Sequence, residues 1–212
     1  MAVVIDEAVC GGLDALPAGP ALSAALEGLD PAGLTGEETA AWMRAWFRTR
    51  NHADYQLLRS LREACAARAG TTARVALDEF APQIAAASLG WSSTTACSRL
   101  DLAVGVLERM PTLGQRMRSG ELELAKATAF VTGLEGLTEA QCAAVLARLL
   151  DEAPELPLGK LRERILEAGY AVDPVWGATR LAAATARARV CTETNPSGAV
   201  NVCGRDLDPE LA

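Results

Sequence analysis

A run of hydroxyl side chains that ends in an arginine is the first feature of this chain that could do chemistry. Its members are Ser92, Ser93, Thr94, Thr95, Ser98 and Arg99. Hydroxyl groups can contact phosphate oxygens or base edges, and a guanidinium group can bind guanine with two hydrogen bonds. The alternative is that these hydroxyls only cap a helix inside a helical bundle, because serine and threonine are favoured at helix starts.

A second group of polar residues lies further along the chain, where the local charge is positive. It consists of Arg116, Arg118 and Lys126. These three cations could neutralise phosphates beside the hydroxyl run. The alternative is that they belong to an ordinary solvated face of the protein.

Residues suited to catalysis or metal binding are sparse. His52 is the single histidine, and none of the six cysteines forms a C-x-x-C pair. One histidine cannot supply both a general base and a set of metal ligands, and no phosphate-binding or dinucleotide-binding glycine pattern is present. We therefore expect no enzymatic activity, no metal, no cofactor and no small-molecule substrate.

The hydroxyl run is positioned by a predicted helix-turn-helix at about residues 82–108. A short apolar helix over Gln83–Ser88 is followed by a turn at Leu89-Gly90-Trp91, and Ser92 or Ser93 caps a second helix. Glycine suits a turn position that needs a positive φ. In such a motif the first residues of the second helix enter the major groove of DNA.

A long helix before this motif is predicted to be the scaffold. It begins with a capping box at residues 35–38 and runs to about Arg68. Its apolar positions recur at helical spacing and predict a buried stripe that includes both tryptophans of this helix. That stripe consists of Trp42, Trp46, Ala53, Leu57, Leu61 and Ala64.

The remaining sequence predicts a mainly α-helical protein with a small hairpin near its end. We expect a flexible leader over residues 1–12, a helical domain over 13–186, and a hairpin with the start of a truncated C-terminal element over 187–212. Thr138 and Gln141 form a second capping box, and Asp173 caps a helix that Pro174 opens. Cys191 and Cys203 fall on the two hairpin arms, and a disulfide between them is the less favoured alternative to free thiols.

Composition restricts the class of protein and its partners. Half of the 212 residues are hydrophobic, 22% are charged, and the net charge is −7. This charge counts against tight non-specific binding to nucleic acid. No apolar run approaches the length of a membrane span, and no signal peptide is evident, so we expect a cytoplasmic protein that does not bind membranes.

Two families resemble the chain in the order and spacing of short motifs. I-A-A-A-S-L-G-W-S at Ile84–Ser92, L-E-R-M-P at Leu107–Pro111 and the segment Ser119–Ala129 resemble the DNA-binding core of ParB-type partition proteins. Together with L-D-A-L-P-A-G-P-A-L at Leu13–Leu22 and A-R-A-R-V at Ala186–Val190, the chain is similar to the 13E12-repeat family, also called domain of unknown function 222. The resemblance implies a module that precedes an HNH endonuclease, and this chain lacks the histidines which that endonuclease needs.

Two functions remain open from the sequence. The first is a non-catalytic module that binds double-stranded DNA through the helix-turn-helix. The second is a helical interaction module that mediates self-association or holds a protein partner. Its most apolar candidate surface is the cluster Trp42, Trp46 and Phe47.

Overall fold

The computed structural model describes residues 12–65 and 80–207. The leader expected over residues 1–12, except for Gly12, therefore lies outside the described residues. The same holds for the C-terminal element expected after Leu207. The scaffold helix, predicted to run to about Arg68, ends at Ala64 with Cys65 as its C-cap.

The described chain is mainly α-helical and ends in one hairpin, which confirms the predicted fold class. Its helices and strands, in chain order, are α1 Pro20–Glu27, α2 Gly36–Ala64, α3 Ala81–Leu89, α4 Ser93–Val104, α5 Pro111–Arg118, α6 Leu124–Gly133, α7 Glu139–Leu149, α8 Leu158–Val172, α9 Pro174–Thr185, β1 Arg189–Thr194 and β2 Val200–Arg205. A 3-10 turn at Pro31–Gly33 precedes α2, and a π-helical segment at Gly105–Arg109 extends α4.

The predicted helix starts are confirmed by side-chain caps. Thr35 accepts from the Glu38 amide while the Glu38 carboxylate accepts from the Thr35 amide, so both halves of the capping box are present. The second box, formed by Thr138 and Gln141, starts α7 in the same way. These caps hold amide groups that would otherwise lack a partner inside the helix.

The buried stripe predicted for α2 is wrong in phase. The buried residues are Glu38, Ala41, Ala45, Asn51, Leu58 and Leu61, and Leu61 alone belongs to the predicted stripe. Trp46 is 37% exposed, and Trp42 is half-buried against a small cluster with α1. The reason is packing: α1 packs against α2 at Ala45, and further along the inward face Asn51 bonds to the Gly120 carbonyl and Leu58 enters the main core.

Two hydrophobic cores support the helix-turn-helix. The main core lies among α2, the second half of α4, the π-helical segment and α5–α9, and Phe130 and Ile165 are fully buried in it. A separate small core joins the C-terminal end of α2 to α3 and α4. It consists of Leu61, Cys65, Ala81, Ala85, Ala96 and Leu100. The motif therefore contacts the scaffold helix through this small core.

The C-terminal hairpin pairs β1 and β2 antiparallel, with Thr194 opposite Val200 and Arg189 opposite Arg205. Its loop is a tight turn in which the Gly198 amide donates to the Asn195 carbonyl at 3.0 Å. Gly198 has φ +82°, which a residue with a side chain rarely adopts. The Asn195 side chain accepts from the Ser197 and Ala199 amides and fixes the turn.

Candidate nucleic-acid interface

Each residue of the turn between α3 and α4 has a defined structural role. Gly90 ends α3 in the left-handed conformation, with φ 66° and ψ 27°. The Trp91 amide donates to the Ala86 carbonyl at 3.1 Å. Ser92 then caps α4 by accepting from the Thr95 amide at 3.1 Å. This is the predicted turn of the helix-turn-helix. Of Ser92 and Ser93, the two serines predicted as possible caps, Ser92 is the one that caps α4.

Trp91 packs against the small core of the motif and is half-buried. A tryptophan at this position could instead have projected into the space that a DNA groove needs. Its contact with the core leaves the first turn of α4 open to solvent. Trp91 therefore serves in packing the small core.

The N-terminal half of α4 presents the predicted hydroxyl run to solvent. Ser92, Ser93, Thr94, Thr95 and Ser98 are exposed, and Arg99 is half-buried. Ser92 and Thr95 bond to each other at 2.9 Å, so both hydroxyls serve the cap. In the described part of the chain, Ser93, Thr94, Ser98 and Arg99 have no side-chain hydrogen bond. Four polar side chains of α4 are therefore free for an external partner.

Two of the three cations in the second polar group have internal partners. Arg116 forms ion pairs with Glu121 and Asp151, and its hydrogen bond to Glu121 is the main reason that its pKa is raised. Lys126 is 9% exposed, and its Nζ donates to the Pro154 carbonyl at 2.6 Å. Neither side chain is arranged to hold a phosphate.

Arg118 is exposed and its side chain has no ion-pair partner among the described residues. Its carbonyl is 2.6 Å from His52 Nδ1, which places it beside the middle of α2. The motif instead contacts α2 at Leu61, nine residues further on, or about 14 Å along the helix axis. Arg118 therefore lies well away from the start of α4.

His52, the residue that a nuclease assignment would need, has both ring nitrogens in hydrogen bonds. Nδ1 donates to the Arg118 carbonyl, and Nε2 lies 3.1 Å from the Gln56 amide nitrogen. The ring thus connects α2 to the end of α5. In residues 12–65 and 80–207, no group of His, Cys, Asp and Glu side chains is arranged to hold a metal ion.

A groove of about 870 Å³ lies between the second half of α4 and α6, and no sequence pattern predicted it. Arg99, Asp101, Val104, Thr132 and Glu135 are among the residues that line it. Both signs of charge are present, so the groove has no strong preference for an anion. Its position depends on α6 crossing closely at Gly105, where an added Cβ would lie 2.6 Å from Val131 Cγ1.

An exposed apolar patch occupies the outer face of the first half of α2, on the side opposite the buried Ala41 and Ala45. Met43 is 58% exposed, Trp46 37% and Phe47 43%. Their spacing of three and four residues places them together on the helix surface. The cluster expected from the sequence was Trp42, Trp46 and Phe47; in the structure Trp42 is half-buried, and Met43 takes its place in the exposed patch.

Comparison with protein-family models, with curated proteins and with solved structures finds no match for this chain. Among the described helices, none combines the length and the apolar character that crossing a bilayer requires.

Proposed function

We propose that this chain is a non-catalytic module that binds double-stranded DNA through the N-terminal half of α4. One observation carries the proposal: Ser93, Thr94, Ser98 and Arg99 are unpartnered within the described chain and lie on the second helix of a helix-turn-helix. In such motifs these positions face base edges in the major groove. The resemblance to ParB-type partition proteins and to the 13E12-repeat family supports the same function.

The electrostatics predict weak binding with a shallow salt dependence. Arg99 is the free cation of the hydroxyl run, and the whole chain carries a net charge of −7. Each phosphate neutralised contributes about 0.9 units to the slope of log affinity against log salt. We expect a slope of only one or two units, with most selectivity coming from hydroxyl and guanidinium contacts to bases.

The deciding experiment measures fluorescence anisotropy of labelled duplexes, first a mixed-sequence pool and then the sequences selected from it, at several salt concentrations. Arg99→Ala should weaken binding to a selected duplex about 10- to 100-fold, which corresponds to about 1–3 kcal/mol. Arg162→Ala is the matched control, because Arg162 is exposed on α8 without an ion-pair partner among the described residues. Equal losses in both variants, or no binding below about 0.1 mM, would overturn the proposal.

The proposal also makes the chain a cytoplasmic protein without nuclease activity. Supercoiled plasmid should stay intact when it is incubated with the protein and Mg²⁺, Mn²⁺ or Zn²⁺. Nicking that disappears in His52→Ala would contradict this part of the proposal.

The apolar patch on α2 favours a second candidate function, which is self-association of two copies. Met43, Trp46 and Phe47 would then pack against the same residues of a second copy, as in a two-fold interface. Sedimentation should show a concentration-dependent dimer that Trp46→Ala abolishes. Leu166→Ala is the control, because Leu166 is 38% exposed and lies on α8. A monomer at all concentrations would remove this candidate and leave the DNA-binding proposal unaffected.

A further inference from the structure

Two cysteines face each other across the C-terminal hairpin. Cys191 in β1 and Cys203 in β2 are direct partners in the register, and both are free thiols. In each strand the cysteine is the one residue that is not fully exposed. Neither residue contributes to the helical cores or to the proposed DNA-binding surface, so their pairing has no role in the features described above.

The geometry of the ladder allows these two residues to be joined. The Asn195 amide donates to the Ala199 carbonyl at 2.9 Å, so Asn195 and Ala199 form a hydrogen-bonded pair. Bonded and non-bonded pairs alternate along an antiparallel ladder, so Cys191 and Cys203 also form a bonded pair. Cα atoms of such a pair are about 5.5 Å apart, within the range of about 4.4–6.8 Å that a disulfide spans. Cys191 Sγ already lies 3.5 Å from the Cys203 carbonyl oxygen.

Charged side chains on the same hairpin face surround the pair. Arg205 forms an ion pair with Glu193, and the two residues lie on opposite sides of the cysteine pair along the ladder. The pKa of Arg205 is raised by its hydrogen bond to Glu193, by attraction to that carboxylate, and then by its interaction with Cys191. The Arg205 guanidinium therefore lies beside the Cys191 sulfur.

We propose that Cys191 and Cys203 form a reversible dithiol–disulfide pair that is oxidised by a small-molecule disulfide. The Cys191 thiolate attacks one sulfur of the small molecule, whose S–S bond breaks and releases one thiolate. Cys203 then attacks the mixed disulfide, closes the Cys191–Cys203 bond and releases the second thiolate. The two leaving thiolates take up the two protons that the cysteines lose, and two electrons pass from the cysteines to the small molecule.

The pair should be easily reduced again. In a hydrogen-bonded pair the Cβ atoms stand further apart than a relaxed disulfide requires, so closing the bond strains the hairpin. Strained and accessible disulfides have more oxidising potentials than buried structural ones. Because a two-stranded hairpin alone is marginally stable in water, the bond would fix the register of the two strands while it lasts.

The test uses the full chain carrying Cys97→Ser, which removes an exposed thiol, and Cys10→Ser, which removes the cysteine outside the described residues. The protein is equilibrated with glutathione disulfide and glutathione at set ratios, quenched with N-ethylmaleimide, and analysed by intact mass and peptide mapping. The expected product has lost two hydrogen atoms and contains a peptide in which Cys191 is linked to Cys203. Addition of excess glutathione should restore both thiols.

The control variant Cys203→Ser should stop at a mixed disulfide on Cys191, because the second attack is no longer possible. Hairpin protection against hydrogen exchange should rise on oxidation in the parent and remain unchanged in this control. Two mixed disulfides on one chain, or unreacted Cys191 and Cys203 when Cys97 of the unsubstituted chain is fully modified, would overturn the proposal.

Discussion

At the scale of single residues, polar side chains on the inward face of α2 donate hydrogen bonds to backbone carbonyls in other parts of the chain. Arg48 donates to the Leu13 carbonyl at 3.2 Å and also to the Leu16 carbonyl. Asn51 is fully buried, and its Nδ2 donates to the Gly120 carbonyl at 2.9 Å. These contacts attach the N-terminal segment and the loop after α5 to the scaffold helix, so the helix positions its neighbours by polar as well as apolar contacts.

The Asn51 contact gives a first prediction. Asn51→Ala leaves the Gly120 carbonyl without its donor, and an unsatisfied buried group costs about 1–3 kcal/mol. Urea denaturation should show a lower midpoint by that free energy, with an unchanged slope. The control is Asn201→Ala in the exposed hairpin, which we expect to leave the midpoint within error. Equal midpoints for both variants would show that the Asn51 bond contributes nothing to stability.

The Asp173 cap gives a second prediction, which concerns pH. The Trp176 amide donates to this carboxylate at 3.0 Å, and this bond is the main cause that lowers the Asp173 pKa from its ordinary value of 3.8. A carboxylate with a lowered pKa stabilises the folded state above its unfolded pKa, and this contribution is lost as the pH falls through the folded value. The stabilising contribution of the Asp173 carboxylate is therefore lost in acid.

Unfolding midpoints of the parent and of Asp173→Asn should be compared from pH 7 to pH 2. The parent should be more stable at neutral pH, and the difference should shrink as the pH falls below about 4. Asp101→Asn is the control, since Asp101 is exposed and its carboxylate accepts no hydrogen bond from the described residues. A difference that stays constant with pH would contradict the assigned role of the carboxylate.

At the scale of elements, the close crossing of the π-helical segment over α6 fixes where α4 points. Gly105 is buried, and an added Cβ would meet Val131 Cγ1 at 2.6 Å and Cγ2 at 3.0 Å. Arg109, at the other end of the same segment, donates to the Leu137 carbonyl at 3.1 Å and to the Leu134 carbonyl. The segment is therefore held at both ends against α6 and the loop after it.

Gly105→Ala should consequently destabilise the protein by about 1–3 kcal/mol, because overpacking a filled contact displaces its neighbours. Gly159→Ala is a matched control on α8, where an added Cβ meets nothing within 4 Å. Alanine in that open helical position should leave the melting temperature unchanged or raise it slightly. The double variant Gly105→Ala with Val131→Ala should recover part of the loss if the clash is the cause. If the double variant is destabilised as much as Gly105→Ala alone, the clash with Val131 is not the cause of the lost stability.

At the scale of the whole molecule, the helix-turn-helix and the helical bundle have cores of different strength. The bundle core contains large side chains such as Phe130, Met117 and Ile165, whereas three of the six core residues of the motif are alanines. Burial of apolar area is the main stabilising term, so fewer buried methylene groups predict less local stability. We expect the motif to open locally while the bundle stays folded.

Native-state hydrogen exchange measures this difference directly. Amides in α3 and in the first half of α4 should exchange at lower free energies than amides in α6 and α8. Ala85→Gly in α3 should increase exchange within the motif and leave α8 unchanged, because its destabilising effect is confined to the small core. Equal protection in both regions would show that the two cores unfold as one unit.

Features that depend on residues within a few positions of each other could be predicted from the sequence. Both capping boxes, the Asp173 cap, the left-handed Gly90 and the hairpin turn at residues 195–199 are of this kind. Each consists of a side chain or a glycine that satisfies a neighbouring backbone group, and such interactions need no distant partner. The contact between the Ser92 and Thr95 hydroxyls at the start of α4 follows from the same local geometry.

Which faces are covered and which cations are free depends instead on how the helices pack. The prediction of the buried stripe on α2 was wrong because apolar periodicity cannot show that alanines of α2 are buried while Trp46 faces solvent. Arg116 and Lys126 have partners 35 and 28 residues away, at Asp151 and Pro154, which spacing along the chain does not reveal. The groove beside α4 likewise exists because α6, distant in sequence, crosses at Gly105. Contacts between distant residues form only when the helices come together, and for this reason they appear only in the folded molecule.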